Sequence, residues 1–532
     1  MAMLSFFLGV LPEPVRAQSW LIEGSPSSNA RLAVSILQDA ASDGLSSEDY
    51  NARALADQLT RLETELNPVL AGSFSRNLSD SMAKFLHDLA VGRVSARDVH
   101  QSFDGVPPRD FDARSYLEAA LIENRLQAAV DAARPAFPLY PALRKALMQY
   151  RLLGDHPAWG GSASSPQSLP LPLPLPLPLP LPLTLPLPSG GKLEQGQAYP
   201  GLDVLRARLL ALGDLPEYAP VSPVFDQTLV DAVKRFQDRH GLDVDGIVGR
   251  QTLAALNITP AERAEQIALS MERVRWTPLQ HGERRLVVNI PGFMLYGYTL
   301  EADNTIDIQV EMKVVIGRAL NQRTPLFDEE MRFIEFSPYW NIPPSIARVQ
   351  TIPAIRKDPG YLEQQGMEFV DRQGQVSTAV TEDKLKAVLA GQLRIRQRPG
   401  PINALGDIKF IFPNNQNIYM HHTPATELFD RSRRDFSYGC IRLEKPVELA
   451  QFVLANAPDW PLERVLGAMS AGKSRTIKLR DPIPVVIGYS TVMVRHGKVY
   501  FYSDIYGHDK TLARALQQAK GSPRPKPKTG AR

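Results

Sequence analysis

Cysteine is almost absent from this sequence: Cys440 is the only one among 532 residues. A single thiol excludes an intramolecular disulfide and a multi-thiolate metal site. Structural cysteines of exported proteins come in pairs, and an exposed lone thiol is open to oxidation. The sequence therefore leaves two explanations for Cys440, namely burial in a core or catalysis.

A strong net charge is also missing, because 60 Lys and Arg residues nearly balance 57 Asp and Glu residues and leave a net charge of +3. Nucleic-acid binding depends on clustered positive charge and is not expected. No stretch beyond the N-terminus approaches the ~20 apolar residues of a membrane-spanning helix. The sequence therefore predicts no membrane span.

The N-terminus carries a short apolar run at residues 4–11 (LSFFLGVL), and a small-residue cleavage site follows at Ala17. This pattern predicts a signal peptide over residues 1–17 and export to the periplasm or cell envelope. No Lys or Arg precedes the run, which departs from the usual positively charged start. The alternative is a buried N-terminal segment or a misplaced start codon.

Residues 18–165 are predicted to form an all-α scaffold. Apolar residues recur there at three- and four-residue spacing, as in RLAVSILQDAASDGL and SYLEAALIENRLQAAVDAA. Residues 166–195 contain a Leu-Pro repeat in which alternate residues lack an amide donor. Such a repeat favours polyproline II, so we expect a stiff linker, with binding to a proline-reading domain as the alternative.

Residues 196–258 are predicted to form a compact unit of three short helices separated by glycine turns. Three stretches resemble the small peptidoglycan-binding module of cell-wall enzymes: residues 205–212, AVKRFQ at 232–237, and DGIVGRQTLAAL at 245–256. The apolar residues alone are consistent with the core of any small bundle. The glycan-binding role is therefore implied by the resemblance.

Strand-like alternation begins near residue 283, as in RRLVVNIPGFMLYGY, and predicts a β-rich domain over residues 259–510. A charged, helical segment at about residues 343–398 interrupts the strands. Insertions of this length are commonly lids over active sites. Residues 511–532 are predicted to be a partly disordered tail, and the whole chain is expected to be a multi-domain α+β protein.

The stretch with the clearest chemical content is residues 419–443, in which His421 lies 19 positions before Cys440. A cysteine nucleophile needs an adjacent base or cation, and an imidazole supplies one. His421 ends an apolar strand, so a hairpin-like return would bring it to Cys440. Gly439 permits a tight turn, and the amides of Gly439 and Cys440 are candidate donors to an oxyanion.

These residues alone leave catalysis open. A zinc site made by His421, His422 and Cys440 is disfavoured, because adjacent histidines on a strand point to opposite faces. No metal ligand is therefore assigned.

Two motifs resemble the catalytic domain of the L,D-transpeptidases, also called the YkuD type. They read HHTP at residues 421–424 and SYGCIRL at residues 437–443. Five further blocks resemble the large, multi-domain branch of that family: VVIGR at 314–318, TP at 324–325, SPYWNIPPSIAR at 337–348, KDPGYLEQQG at 357–366 and PGPINALGDIKFIFPN at 399–414. That branch also carries a helical scaffold domain, a peptidoglycan-binding module and a helical lid, which agrees with the order of segments described above.

The resemblance implies that Cys440 is the nucleophile and His421 the general base. Either the His422 side chain or a backbone carbonyl would orient the imidazole. Tyr438 stands where many relatives have histidine, and the resemblance includes the large branch, in which this position is also known to be a residue other than histidine. Gly439 completes the nucleophile turn. Substrate contacts are assigned to six further residues: Arg442, Tyr419, Trp340, Asn341, Ser437 and Thr423.

Two of these assignments have structural alternatives. Arg442 either anchors a substrate carboxylate or braces the catalytic turn. Trp340 either lines the donor groove or packs in a core, which explains its ring equally well.

The implied reaction is acyl transfer between peptidoglycan tetrapeptide stems that act as donor and acceptor. The thiolate attacks the carbonyl of the donor's third residue, D-alanine leaves, and the amine of an acceptor's third residue resolves the thioester into a 3-3 cross-link. No cofactor is required, and carbapenem β-lactams are expected to acylate Cys440. Water or a protein lysine is an alternative acceptor, and a non-catalytic wall-binding scaffold is the alternative from another class.

Overall fold

We describe the protein from a computed structural model, in which the described residues are 20–103, 111–160, 184–279, 284–303 and 305–520. The predicted signal peptide, most of the Leu-Pro repeat and residues 521–532 lie outside these ranges. The chain divides into two compact units. Within the described ranges, no helix combines the length and the apolarity that crossing a membrane requires.

The first unit is helical and includes residues 20–94 and 111–136. Its elements are β1 (Leu21–Ile22), β2 (Ser25–Pro26), α1 (Ser28–Gln38), α2 (Ala52–Thr64), α3 (Pro68–Val91), α4 (Ala113–Ile122) and α5 (Leu126–Ala133). Helix α3 begins at Pro68, after an Asn67 side chain that accepts the Leu70 N–H. The prediction of a helical N-terminal region is confirmed.

Helix α6 (Leu139–Leu152) lies in the segment predicted to be part of the scaffold, but it belongs to the second unit. It packs there against α10 (Pro260–Trp276). The buried Tyr140 hydroxyl accepts a hydrogen bond from Arg275 Nη2 at 2.9 Å. The amphipathic pattern of α6 predicts a buried face, but it does not identify the partner that covers this face.

Three helices form the small bundle predicted at residues 196–258: α7 (Leu202–Ala211), α8 (Gln227–Arg239) and α9 (Arg250–Asn257). The predicted linker, however, ends earlier than residue 195. Leu185 and Leu193 are buried in the core of the bundle. The Asn257 side chain bonds to both the N–H and the carbonyl of Leu185, at 2.7 and 3.1 Å. These contacts attach residues 184–195 to the bundle and correct the predicted boundary.

A nine-stranded sheet forms the centre of the second unit. Its strands are β3 (Arg284–Asn289), β4 (Met294–Leu300), β5 (Ile306–Gly317), β6 (Phe327–Phe336), β11 (Ile408–Ile411), β12 (Met420–His421), β13 (Asp435–Ser437), β14 (Ile441–Leu443) and β15 (Arg475–Gly488). Their order is β13-β5-β14-β12-β11-β6-β15-β3-β4, and β4 also pairs with β5. The sheet therefore closes on itself, and the prediction of a β-rich domain is confirmed.

The insertion between β6 and β11 is mixed rather than helical. It contains β7 (Trp340–Asn341), α11 (Pro344–Ile346), α12 (Ile352–Lys357), α13 (Tyr361–Gln364), β8 (Met367–Val370), β9 (Val376–Ser377), α14 (Glu382–Leu389) and β10 (Arg394–Gln397), with a π-helical turn at Ala347–Thr351. The four strands form one sheet in the order β7-β10-β8-β9. They were missed because runs of two to four residues are too short to show a period.

The remaining elements lie in the second unit, apart from the last three residues of the final helix: α15 (Pro446–Val453), α16 (Leu462–Ser470), β16 (Val492–Arg495), β17 (Lys498–Phe501) and α17 (His508–Lys520). Helix α17 extends ten residues beyond the predicted end of the domain at residue 510. Its side chains Leu512 and Leu516 are buried, which explains why the segment is helical. The predicted tail is therefore helical over its first half.

Candidate active site

Two parallel neighbouring strands bring the predicted nucleophile and base together. Strand β12 pairs with β14 in the register Met420 opposite Ile441 and His421 opposite Arg442. The Ile441 N–H donates at 3.1 Å to the carbonyl of Tyr419, the residue that precedes Met420. Because side chains alternate along a strand, His421 and Cys440 lie on the same face of the pair. A parallel pair excludes the predicted hairpin-like return, because the chain must cross over between the two strands.

The turn before Cys440 is held by two hydroxyl groups. Ser437 Oγ accepts the Gly439 N–H at 3.1 Å and donates to the Cys440 carbonyl at 2.6 Å. Thr324 Oγ1 donates to the Gly439 carbonyl at 2.8 Å and accepts the Gly317 N–H at 2.9 Å. Gly439 has a φ of +114°, a conformation that side chains rarely allow.

This arrangement corrects the predicted oxyanion site. The Gly439 N–H is already bonded to Ser437, so it is not available to a substrate. The Cys440 N–H has no hydrogen-bond partner among the described residues. It is therefore the backbone donor that the turn offers to a developing negative charge.

The Cys440 thiol is partly exposed and lies 3.8 Å from the Asn417 carbonyl. Burial raises the pKa of the thiol above its usual value. Hydrogen bonds with the backbone and phenol of Tyr419 act in the opposite direction, as do the charges of Lys409 and Arg442, but they do not reverse the shift. The resting side chain is therefore a neutral thiol at neutral pH.

The His421 imidazole is oriented by a backbone group. Its Nδ1 lies 2.5 Å from the His422 carbonyl oxygen. A carbonyl only accepts, so Nδ1 carries the proton and Nε2 keeps the free electron pair. Burial, with a smaller contribution from the positive charge of Arg442, lowers the pKa of His421 to about 3. The His421 imidazole is therefore neutral, with Nε2 unprotonated, throughout the physiological pH range.

The His422 side chain was one of the two predicted candidates for orienting the His421 imidazole, but it does not contact that ring in this structure. Its Nδ1 lies 2.7 Å from Asp407 Oδ1, on the opposite side of the strand from His421. The ring lies directly on Gly406, where an added Cβ would approach its Nδ1 to 2.6 Å. His422 thus contributes its carbonyl to the site, and its imidazole packs beside Asp407.

Arg442 presents a guanidinium on the same face as Cys440. Among the described residues this side chain forms no hydrogen bond. Burial lowers the pKa of Arg442, yet a guanidinium remains charged at neutral pH. The charge of Arg442 interacts with the neighbouring Cys440 and Glu427. Its anchoring role therefore stays a prediction.

Two predicted substrate contacts have internal roles instead. Thr423 is 1% exposed and its hydroxyl accepts the Ala425 N–H at 3.3 Å. Ser437 is 2% exposed and holds the nucleophile turn as described above. Both side chains are buried, so a substrate does not reach either hydroxyl in this structure. The assignment of Thr423 and Ser437 to substrate contacts is therefore corrected.

Tyr438 connects the nucleophile turn with the insertion. Its hydroxyl accepts a hydrogen bond from Gln350 Nε2, in the π-helical turn, and Arg318 lies over its ring at 4.9 Å. Tyr438 and Trp340 both pack against the hydrophobic core of the insertion. Asn341, next to Trp340 on β7, is exposed. Core packing therefore accounts for the Trp340 ring, as its alternative explanation predicted.

Tyr419 also approaches the thiol, as its assignment to the site requires. Its ring lies 5.7 Å from the His421 ring between centroids, and Lys409 Nζ lies 4.2 Å from its centroid. Burial and the neighbouring Cys440 raise the pKa of the Tyr419 phenol, so it stays protonated and able to donate. Tyr419 is thus a neighbour of both the nucleophile and the base.

Three contributors to the site were not predicted: Thr324, Asp407 and Lys409. All three lie in sequence blocks that resemble the family, but nothing in the local pattern assigns them a partner. Their contacts join residues far apart in the chain, such as Thr324 and Gly439. Only the folded sheet reveals them.

The charge states of Cys440 and His421 predict how the thiol reacts with pH. We expect the rate of iodoacetamide alkylation to keep rising up to about pH 9 and beyond, because only the thiolate reacts. Intact-mass measurement gives the rate directly, since the chain has one cysteine. Tyr419→Phe removes a hydrogen bond that lowers the pKa of Cys440, so it should move the profile to higher pH. A rate plateau below about pH 7 would instead indicate a preformed thiolate–imidazolium pair.

Comparison with known families identifies the domains that the chain resembles. Three family models match the chain: "L,D-transpeptidase catalytic domain" (YkuD) over residues 283–487, "Scaffold domain" over residues 17–147 and "Putative peptidoglycan binding domain" over residues 199–256. A protein of Haemophilus influenzae described as "Putative L,D-transpeptidase" is 30% identical over 268 residues. The match covers 49% of this chain and 53% of that relative, so the chain spans about half the length of the relative. The chain therefore contains a scaffold domain, a peptidoglycan-binding domain and an L,D-transpeptidase catalytic domain of the YkuD type.

Proposed function

We propose that this protein is an L,D-transpeptidase that forms 3-3 cross-links in peptidoglycan through a thioester on Cys440. The observation that carries the proposal is the parallel pairing of β12 with β14, which places Cys440 and His421 on one face. The match to the L,D-transpeptidase catalytic domain supports the reaction class.

The first half-reaction begins from the neutral pair. His421 Nε2 removes the thiol proton as Cys440 Sγ attacks the carbonyl carbon of the donor's third residue. The resulting oxyanion faces the Cys440 N–H, the donor that the Ser437 contact leaves unused. The imidazolium then returns its proton to the leaving amine, D-alanine departs, and the acyl group stays on sulfur. Because the Nδ1 proton is held by the His422 carbonyl throughout, Nε2 handles the proton in both directions.

Arg442 is proposed to bind the carboxylate of the departing D-alanine. A guanidinium forms two parallel hydrogen bonds with a carboxylate, which fixes orientation as well as position. In the second half-reaction, the amine of the acceptor's third residue attacks the thioester. His421 Nε2 takes a proton from that amine and passes it to Cys440 Sγ, so that Cys440 leaves as the thiol and His421 returns to its neutral form. Water or a protein lysine would resolve the same thioester as a carboxypeptidase or a protein ligase.

The other segments are proposed to serve this reaction. Residues 196–258 would hold the enzyme on peptidoglycan, and the insertion at about residues 343–398 would act as a lid, with Tyr438 and Gln350 at its contact with the nucleophile turn. Domains that act on peptidoglycan imply an envelope or extracellular location. A periplasmic location reached through a signal peptide at residues 1–17 is part of the proposal.

The function is tested by mass spectrometry of the full chain with a disaccharide tetrapeptide. We expect the substrate to lose the mass of one alanine and cross-linked dimers to accumulate, and a carbapenem to form a covalent adduct with the protein. The control is the same protein alkylated beforehand with iodoacetamide, which blocks the only cysteine. Alanine release without dimers would favour the carboxypeptidase. Absence of both the release and the adduct would favour a wall-binding scaffold.

A further inference from the structure

A hydrogen-bonded chain reaches the nucleophile turn from beyond the residues that match the catalytic-domain family. That match ends at residue 487, whereas Tyr506 lies between β17 and α17. Tyr506 is 2% exposed, and its hydroxyl lies against the loop that joins β5 to β6, residues 317–324 (the β5–β6 loop). Nothing in the proposed transpeptidase reaction uses this tyrosine.

The Tyr506 hydroxyl joins the two ends of the β5–β6 loop. It donates to the Gly317 carbonyl at 2.5 Å and accepts the Thr324 N–H at 3.2 Å. Burial raises the pKa of Tyr506 to about 12, so the hydroxyl keeps the proton that it donates. Gly317 is confined as well, because an added Cβ would collide with the Gln322 carbonyl oxygen. The loop is therefore closed by a side chain that is 182 residues away from Thr324 along the chain.

The closed loop contacts the nucleophile turn at two points. At one of them, the Arg318 N–H donates to the Ser437 carbonyl at 3.1 Å. At the other, Thr324 Oγ1 donates to the Gly439 carbonyl at 2.8 Å. The Gly439 carbonyl and the Cys440 N–H belong to one planar peptide group, and in a trans peptide the two bonds point in opposite directions. A hydroxyl that fixes this carbonyl therefore also fixes the direction of the Cys440 N–H, the donor that the turn offers to an oxyanion.

Tyr506 is itself held in place by its neighbours. Its N–H donates to the Tyr489 hydroxyl at 3.1 Å, and that hydroxyl donates to Asp504 Oδ1 at 2.6 Å. The Arg323 guanidinium lies over the Tyr506 ring, 5.4 Å from the centroid. Because these contacts involve the backbone and the ring, loss of the hydroxyl alone would release the loop and leave the ring packed.

We propose that Tyr506 is a positioning residue, which acts through Thr324 to aim the Cys440 N–H at the oxyanion of the acylation step. This inference rests on the proposed function. The Tyr506 hydroxyl is bonded to the β5–β6 loop and not to the thiol, so its effect reaches Cys440 through the Gly439 peptide group. The segment that follows the matched catalytic domain thus contributes to catalysis as well as to the fold.

The test compares two reactions of Cys440 in the full chain, of which only one develops an oxyanion. Acylation by a carbapenem passes through a tetrahedral oxyanion, whereas alkylation by iodoacetamide displaces iodide directly. For Tyr506→Phe we expect single-turnover acylation to be at least about tenfold slower, because a misdirected donor loses part of its effect. The rate of alkylation at about pH 8 should change less than about twofold. Equal acylation by the variant and the wild type would overturn the proposal, as would an equal loss in both reactions.

Tyr298→Phe is the matched control. Tyr298 is also buried, at 4% exposed, and its hydroxyl donates to the Leu279 carbonyl at 3.4 Å rather than to the β5–β6 loop. Each variant loses one buried, hydrogen-bonded hydroxyl, so their melting temperatures should fall by similar amounts. Acylation by Tyr298→Phe should match that of the wild type. A loss as large as in Tyr506→Phe would attribute the effect to stability and refute the positioning role.

Thr324→Val tests the route of the effect, because it removes the hydroxyl that reaches Gly439 and keeps the shape of the side chain. This variant should slow acylation at least as much as Tyr506→Phe does. The double variant should be no slower than Thr324→Val, since Tyr506 acts through Thr324. Losses that multiply in the double variant would show that Tyr506 acts independently of Thr324, against the proposal.

Hydrogen exchange separates a failure of this inference from a failure of the proposed function. If the wild type forms no carbapenem adduct, the transpeptidase proposal fails. The peptide that spans residues 437–443 should still exchange faster in Tyr506→Phe than in the wild type, because the loop no longer holds it. The same peptide should be unaffected in Tyr298→Phe. Unchanged exchange in Tyr506→Phe would show that this tyrosine does not position the turn.

Discussion

Cys440→Ala is expected to abolish both alanine release and carbapenem adduct formation, with a residual rate at least about 10⁴-fold below that of the wild type. The size of the loss follows from the mechanism: without the sulfur there is no thioester, and neither half-reaction has another route through this site. Mass spectrometry of the tetrapeptide product and of the intact protein measures the two losses separately.

The same substitution should leave the fold intact. The nucleophile turn is held by Ser437 and Thr324 through backbone atoms, whereas the Cys440 thiol adds a long contact of 3.8 Å to Asn417 and hydrogen bonds with Tyr419. We therefore expect a Tm within about 2 °C of the wild type. Sedimentation with purified peptidoglycan should be unchanged, because the proposed wall-binding bundle has its own core. Alanine release by Cys440→Ala would place the nucleophile elsewhere.

The second large effect concerns two adjacent histidines with opposite expected outcomes. His421→Ala removes the proposed base and should lower the rate of acylation by about 10²- to 10⁴-fold. His422→Ala keeps the backbone carbonyl that orients His421 and loses a partly exposed pair with Asp407. Such a pair contributes at most about 1 kcal/mol, so the variant should retain activity within a few-fold of the wild type. Single-turnover acylation by a carbapenem measures both rates.

The pH dependence of the acylation rate tests the assignment of His421 as the base. Because the pKa of His421 is about 3, the wild-type acylation rate should show no inflection near pH 6.5, where an unperturbed histidine titrates. If His422→Ala were as damaging as His421→Ala while both variants melted like the wild type, the His422 side chain would be the orienting group. The carbonyl assignment would then be wrong.

The choice of nucleophile and base was accessible from the sequence, but their spatial relation was not. One cysteine, one preceding histidine and two short motifs were sufficient to name Cys440 and His421 as the candidate pair. The parallel pairing of β12 with β14 depends on strands of two and three residues. Strands this short carry no readable period, and their pairing is decided by the neighbouring β5 and β11.

The oxyanion donors illustrate a different difficulty. A Gly-Cys turn suggests two free amides, but a serine two residues before the glycine competes for one of them. Ser, Thr, Asn and Asp side chains commonly bond to nearby backbone groups in turns, which gives Ser437 its role. The geometry of such a turn follows from φ and ψ, and these angles are not determined by residue type alone.

The boundaries of the predicted segments were less accurate than their secondary-structure class. The small bundle was recognised as three helices, yet its first contacts begin at Leu185, within the predicted linker. A leucine in a Leu-Pro repeat has no local feature that distinguishes it from its neighbours. Its position is fixed by Asn257, at a separation of 72 residues. The packing of helix α6 against α10 was not predicted for the same reason, since the two helices are distant in sequence.

The closure of the large sheet has a consequence for solubility. In an open sheet the outermost strands present unpaired N–H and carbonyl groups, which invite a second molecule to add a strand. Here β4 and β5 pair with each other, and the outer strand of the nine is β13, which has three residues. The outer strands of the four-stranded insertion sheet, β7 and β9, have two residues each. Within the described residues, the outermost strand of each of these two sheets is thus too short to serve as a long template for the addition of a further strand.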